Sequence, residues 1–149
     1  MSYTYEYPRP AVTVDCLIFR KEDESTLILL IQRGQPPFKG EWALPGGFVD
    51  IDESLEKAAQ RELKEETNLE DIPLKQFKAY GKVDRDPRGR TISIVYYGFT
   101  DDYTQMQSGS DAANAKWWPI DNLPKLAFDH KEIVEEAIDF IINQGHPYT

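Results

Sequence analysis

The sequence has a single cysteine, Cys16, which excludes an intrachain disulfide. Cys16 lies in the alternating apolar run Ala11–Phe19 and reads as a reduced core thiol. Long hydrophobic stretches are missing too. The longest, Leu27–Ile31, is far too short to cross a bilayer. The opening MSYTYEYPRP lacks a basic segment followed by an apolar one, so no secretory signal is read. A cytoplasmic protein with no membrane association is the expectation. Positive charge is scarce: 17 lysines and arginines face 26 acids, a net charge of −9. That balance argues against a protein that binds the nucleic-acid backbone. A phosphate-bearing ligand would need local arginines or a bridging cation. The two histidines, His130 and His146, are expected to be cap and tail residues, not catalysts.

What is present is an ordinary globular balance, 40% hydrophobic and 29% charged, in a length that suits one domain over residues 1–149. Ala11–Phe19 and Thr26–Gln32 read as strands. RGQPPFKGEWALPGG follows, a loop whose prolines and glycines forbid regular structure until about Phe48. A helix is expected over Ser54–Asn68, and strands within LKQFKAYGKVD, TISIVYYGFT and AKWWPI. DDYTQMQSGSDAAN reads as a polar loop. The last element, Asp129–Asn143, carries Ile133, Val134, Ala137, Ile138 and Ile141 on one face, the pattern of a core-packing helix. Strands, a helix, more strands and a helix fit an α/β or α+β fold, with helices covering a mixed sheet.

The first helix is less orderly. With Leu55 as origin and roughly 100° per residue, Ala59 and Leu63 lie near +40° and +80°. Glu62, Glu66 and Glu65 come out near −20°, +20° and −80° by the same arithmetic. A glutamate-rich helix is ordinarily a solvated face, but these acids point towards, or to the edge of, the side the leucines bury. Three carboxylates at this spacing repel one another and need compensation when partly buried. Arg61 supplies one positive charge. The economical remainder is a divalent cation with hard oxygen ligands, Mg²⁺ or Mn²⁺. LPGG, at Leu44–Gly47, precedes the helix and allows close backbone approach. It can offer a carbonyl to the same ion. Glu53 suits the helix dipole or can reach back to hold Arg61.

Gly47, five residues, Glu53, seven residues and then RELKEETNL resemble the Nudix box, G-x5-E-x7-R-E-U-x-E-E-x-G-U, where U is aliphatic. Eight of its nine fixed positions match; Asn68 replaces the glycine that ends the helix in a left-handed conformation. Asparagine is the next best residue there, and the site should survive the change. The resemblance implies a Nudix-type α/β/α sandwich and hydrolysis of a nucleoside diphosphate linked to another moiety. It further implies Glu62, Glu65 and Glu66 as Mg²⁺ ligands with the Gly46 carbonyl, and Glu53 and Arg61 as support for that cluster. One glutamate can act as general base. Asp111, before the late strand, is the candidate for a further acid; an Asx turn or cap is the alternative. A homodimer is common in the family.

DRDPRGRTISI places Arg85, Arg88 and Arg90 in or beside a turn. They can be solvated loop charges, or the local positive charge a pyrophosphate needs. Trp42, with Tyr3, Tyr5 and Phe38, can stack on a base or simply pack. RGRTIS and AFDH are similar to loops of ADP-ribose-hydrolysing Nudix domains and their regulator relatives. The proline of the ADP-ribose pyrophosphatase class is replaced at its position by Arg85, with proline at Pro87. The expected activity is hydrolysis of ADP-ribose to AMP and ribose 5-phosphate. The alternatives are a nucleoside triphosphate pyrophosphohydrolase that sanitises the nucleotide pool, and a non-catalytic ADP-ribose-sensing regulator. The regulator would need an added winged-helix domain, for which the last helix leaves no room, and such sensors tend to lose box acids that are all kept here.

Overall fold

The computed structural model describes residues 2–101 and 112–144; Asp111 and His146 lie outside them. Nine elements follow in order: β1 Ala11–Glu22, β2 Ser25–Arg33, β3 Trp42–Ala43, β4 Gly46–Phe48, α1 Leu55–Thr67, β5 Lys75–Tyr80, β6 Thr91–Phe99, β7 Ala112–Pro119 and α2 His130–Asn143. The β-branched run of β1 makes it the central strand. It pairs in parallel with β6, from Ala11 opposite Thr91 to Phe19 opposite Phe99. Its other edge is shared, with β2 antiparallel along Phe19–Glu22 and β4 antiparallel along Thr13–Asp15. The sheet is therefore mixed.

Strand alternation assigns the two layers. Leu17 and Phe19 join Ile133, Val134, Ala137 and Ile141 of α2 in one apolar cluster. Val14, Cys16 and Ile18 join Ala58, Ala59 and Leu63 of α1 in another. The helices thus cover opposite faces, which is the sandwich expected. Cys16 is a buried thiol whose Sγ lies 3.7 Å from the Ala59 carbonyl oxygen, and burial pushes its pKa well up. No helix among the described residues is long and apolar enough to cross a membrane.

Two expectations require correction. The Pro- and Gly-rich stretch before Phe48 is not free of regular structure, because β3 and β4 lie within it. Glycine is what permits β4: a Cβ on Gly46 would lie 2.1 Å from the Val14 carbonyl oxygen. The late strand also starts earlier than AKWWPI suggests. Ala112–Asn114 belong to β7 because β2 extends far enough to pair with them, up to Arg33 opposite Ala112. A polar sequence in that stretch did not prevent pairing.

Candidate active site

The turn and the helix that faces it are locally well determined. The Ser54 hydroxyl caps α1 by accepting the Lys57 N–H at 3.2 Å. Asn68 ends it at φ 66°, ψ 9°, and its N–H reaches the Lys64 carbonyl at 2.8 Å. The left-handed stop expected of asparagine is present. Between these caps α1 buries Ala58, Ala59, Leu63, Glu66 and Thr67. A carboxylate is thus buried on the core-facing side.

Glu66 is 7% exposed and accepts the Gly46 N–H at 2.7 Å. Glu62 packs against the other glycine, where a Cβ on Gly47 would fall 2.5 Å from its carboxylate carbon. A cradle of backbone and two hard carboxylates therefore exists where the β4 turn meets α1, and it suits a small divalent cation. Glu65 behaves differently. Its side chain is 43% exposed and borders a separate surface depression with Gln60, Lys64 and Glu70. Two of the three acids therefore seat at the glycines, and the third, which the wheel places at the edge of that face, lies at the rim.

Arg61 explains the spread. Its guanidinium forms a two-pronged pair with Glu53 (Nε–Oε2 3.0 Å, Nη2–Oε1 2.6 Å) and donates from Nη1 to Glu62 at 2.9 Å. It also reaches Glu65 at 3.3 Å and the Phe48 carbonyl at 3.1 Å. Hydrogen bonds from Arg61 hold the Glu53 carboxyl at about 2, and the acids in turn raise the pKa of Arg61. Among the described residues no three acidic or imidazole side chains close on one point, because three of these acids are arrayed around one guanidinium.

Strand β4 and Glu66 form one wall of an open cleft. Arg85 and Arg88 line it, while Arg90 does not and is solvent-exposed. Neither cleft arginine carries spare charge. Arg85 makes a two-pronged pair with Asp129 (2.8 and 2.7 Å) and donates to Ser93 Oγ at 2.8 Å. Arg88 pairs with Asp86, and although burial works against the anion, those hydrogen bonds keep the Asp86 pKa low. The cleft cation without an ion pair among the described residues is Arg33, at the end of β2. Its pKa is lowered by burial and by neighbouring Arg88, and the two guanidiniums flank the Phe128 ring at 4.9 and 5.0 Å.

Trp42 is a packing residue and does not line the cleft. It meets Trp118 edge-to-face at 5.1 Å and bridges to Leu126. His130, expected as a cap, is instead 5% exposed on the cleft floor beside Asp15. Arg33, Asp15, Ser93 and His130 are cleft residues that sequence reading missed. Thr13 and Asp15 did carry a signal: polar residues at alternate positions of an otherwise apolar central strand must face something polar.

A mixed sheet between two helices, with carboxylates of one helix seated against a diglycine strand beside a cleft lined by both arginines and acids, is an α/β/α sandwich with a charged site at one end. The Nudix domain family matches residues 9–137, and this chain belongs to it. The chain is 46% identical over 132 residues to an ADP-ribose pyrophosphatase of Methanocaldococcus jannaschii, a match covering 87% of this chain and 74% of that protein. It is 36% identical to the ADPR responsive transcriptional repressor NtrR of Acinetobacter baylyi, across 93% of this chain but only 57% of the repressor. Among solved structures, the Nudix domain of Shewanella oneidensis NrtR complexed with ADP ribose superposes with a TM-score of 0.84 at 34% identity, covering 91% and 90% of the two chains.

Proposed function

We propose that this chain is a Mg²⁺-dependent Nudix hydrolase that converts ADP-ribose and water to AMP and ribose 5-phosphate. The observation that carries this reading is the seating of Glu62 and Glu66 on Gly46–Gly47 of β4 beside a cleft lined by Arg33 and Arg88. Similarity to an ADP-ribose pyrophosphatase supports the choice of substrate. Family members generally use divalent metal, and Glu62, Glu66 and the Gly46 carbonyl are the ligands proposed here, with Glu65 completing the cluster from the rim. Held there, such an ion would neutralise phosphate oxygens and lower the pKa of water. Mn²⁺ satisfies the same oxygen donors.

The chain's own residues do the rest. Arg33 counters the pyrophosphate charge that a −9 protein otherwise repels, with Arg88 held beside it by Asp86. Glu53 and Arg61 hold Glu62 at the turn. A carboxylate accepts the proton of the attacking water, Glu65 and Asp111 being the candidates. The water oxygen bonds to one phosphorus, and the bridging oxygen leaves with its electron pair on the other phosphate. Trp42 and Arg90 have no direct part in this reading. A single domain over residues 1–149, a cytoplasmic setting and a homodimer belong to the same proposal; light scattering on the purified chain tests the last.

A second reading is favoured by the likeness to the repressor and to the ADP-ribose-bound domain: ADP-ribose is bound but not hydrolysed. A third is release of pyrophosphate from modified nucleoside triphosphates. A Mg²⁺ assay over ADP-ribose, NADH, GDP-mannose and 8-oxo-dGTP separates all three. AMP from ADP-ribose supports the first; tight binding without turnover supports the second; pyrophosphate from the triphosphate alone supports the third.

A further inference from the structure

Asp15 and His130 take no part in the reading above, yet an acid and an imidazole are buried on the cleft floor, where each polar atom needs a partner. Their arrangement is specific. The Leu44 N–H donates to His130 Nδ1 at 3.0 Å, so the proton of the neutral ring sits on Nε2. Burial favours that neutral ring. Nε2 lies 3.9 Å from Asp15 Oδ1, too far for a direct hydrogen bond. One oxygen atom fits between them at about 2.8 Å from each.

The chemistry of such an oxygen is constrained. It must accept from Nε2–H and donate to the carboxylate. Burial raises the Asp15 pKa, while His130, Arg85 and the Ser93 hydrogen bond favour its anion; against that carboxylate a phosphate oxygen accepts only and carries charge of the same sign. A hydroxyl does both. The pair is also held in place: Ser93 hydrogen-bonds Asp15 and contacts Thr13, while Arg85 donates to Ser93 and is itself anchored by Asp129. Finally, the site adjoins the reaction centre. A Cβ on Gly46 would sit 2.5 Å from Asp15 Oδ1, and both side chains line the same cleft as Gly46 and Glu66.

We propose that Asp15 and His130 together read a sugar hydroxyl of the nucleotide substrate, so that the site selects glycosylated diphosphates over those lacking that hydroxyl. The inference rests on the phosphoanhydride reading above and adds a specificity determinant to it. A buried donor and acceptor left without partners disfavours the analogue.

His130→Asn separates this role from the support of Leu44, since asparagine Oδ1 replaces Nδ1 as acceptor but leaves no donor at Nε2. kcat/KM is measured for ADP-ribose, for the β-methyl ester of ADP (no terminal sugar) and for ADP-ribose lacking the adenosine 2′- and 3′-hydroxyls. The wild type should favour ADP-ribose over one analogue by roughly 10- to 100-fold, and the analogue that loses identifies the sugar. In His130→Asn that ratio should shrink to about 3-fold or less. Asp15→Ala, which removes the acceptor, provides the same reading should the first variant melt early. An unchanged ratio, or an equal loss on all three substrates, overturns the inference and leaves a buried water or a purely structural pair. Should the wild type hydrolyse none of them, the hydrolase reading fails by itself, and calorimetric Kd values for the three compounds report the same ratio.

Discussion

The two helices solve the same packing problem and differ in what they carry. Both bury an apolar stripe on the central sheet, α1 through Ala58, Ala59 and Leu63, and α2 through Ile133, Val134, Ala137 and Ile141. In α2 the stripe is clean, and its one buried polar residue, His130, stands at the first position. In α1 a buried carboxylate, Glu66, interrupts the stripe next to Leu63 and Thr67. The apolar stripes hold the sheet, and the polar interruptions at Glu66 and His130 face one cleft from opposite layers. Function here is added where a helix departs from its packing pattern.

The largest effects should come from breaking α1 at that departure. Glu66→Gln is expected to lower kcat by roughly 10²- to 10⁴-fold with the melting temperature preserved, whereas Glu65→Gln, at the exposed rim, costs less. Equal losses in steady-state kinetics would show that rim and floor carboxylates work as one unit. Gly47→Ala places a methyl group against the Glu62 carboxylate, and turnover should fall by about 100-fold with weaker Mn²⁺ binding by calorimetry. Breaking α2 should have the opposite profile. Ile133→Ala, fully buried, is expected to cost about 2–5 kcal/mol in denaturant melts while KM for the folded fraction stays within about twofold of the wild type.

A smaller effect tests the Arg61 hub by pH. The folded Glu53 carboxyl titrates at about 2 against an ordinary 4.5. The folded state therefore releases this proton more readily than the unfolded chain. Its contribution is complete above pH 4.5 and is lost as the pH falls towards 2. Glu53→Gln should flatten the fall in melting temperature across that window. The smallest change should come from Asn68→Gly, which relieves a left-handed asparagine but adds freedom to the unfolded chain. Stability should move by less than about 1 kcal/mol, and activity should not follow.

Much of α1 was legible because its information is local. The helix bounds and the left-handed Asn68 depend on residues within a few positions of one another, and both are found in the fold. Glu65 was legible only as far as the edge of the face. Angles on a wheel locate a Cβ, while Arg61 and the glycine turn decide where a long side chain ends. The arginine cluster misled for a similar reason. Arg85 and Arg88 line the cleft, but their charges are taken by Asp129, 44 residues from Arg85, and by Asp86 beside Arg88. Arg33, from a distant strand, is the cleft cation without an ion pair among the described residues.

By itself, the sequence determined the alternation that gives the sheet two apolar faces, the helix that carries the acids and the glycines that let backbone approach them. These follow from residue size, period and backbone freedom, which act over short separations. Only the tertiary structure decided that β4 would pair with β1, that Glu62 and Glu66 but not Glu65 would seat on its turn, and that His130 would stop 3.9 Å from Asp15. Those outcomes depend on which distant groups compete for the same hydrogen bonds and charges.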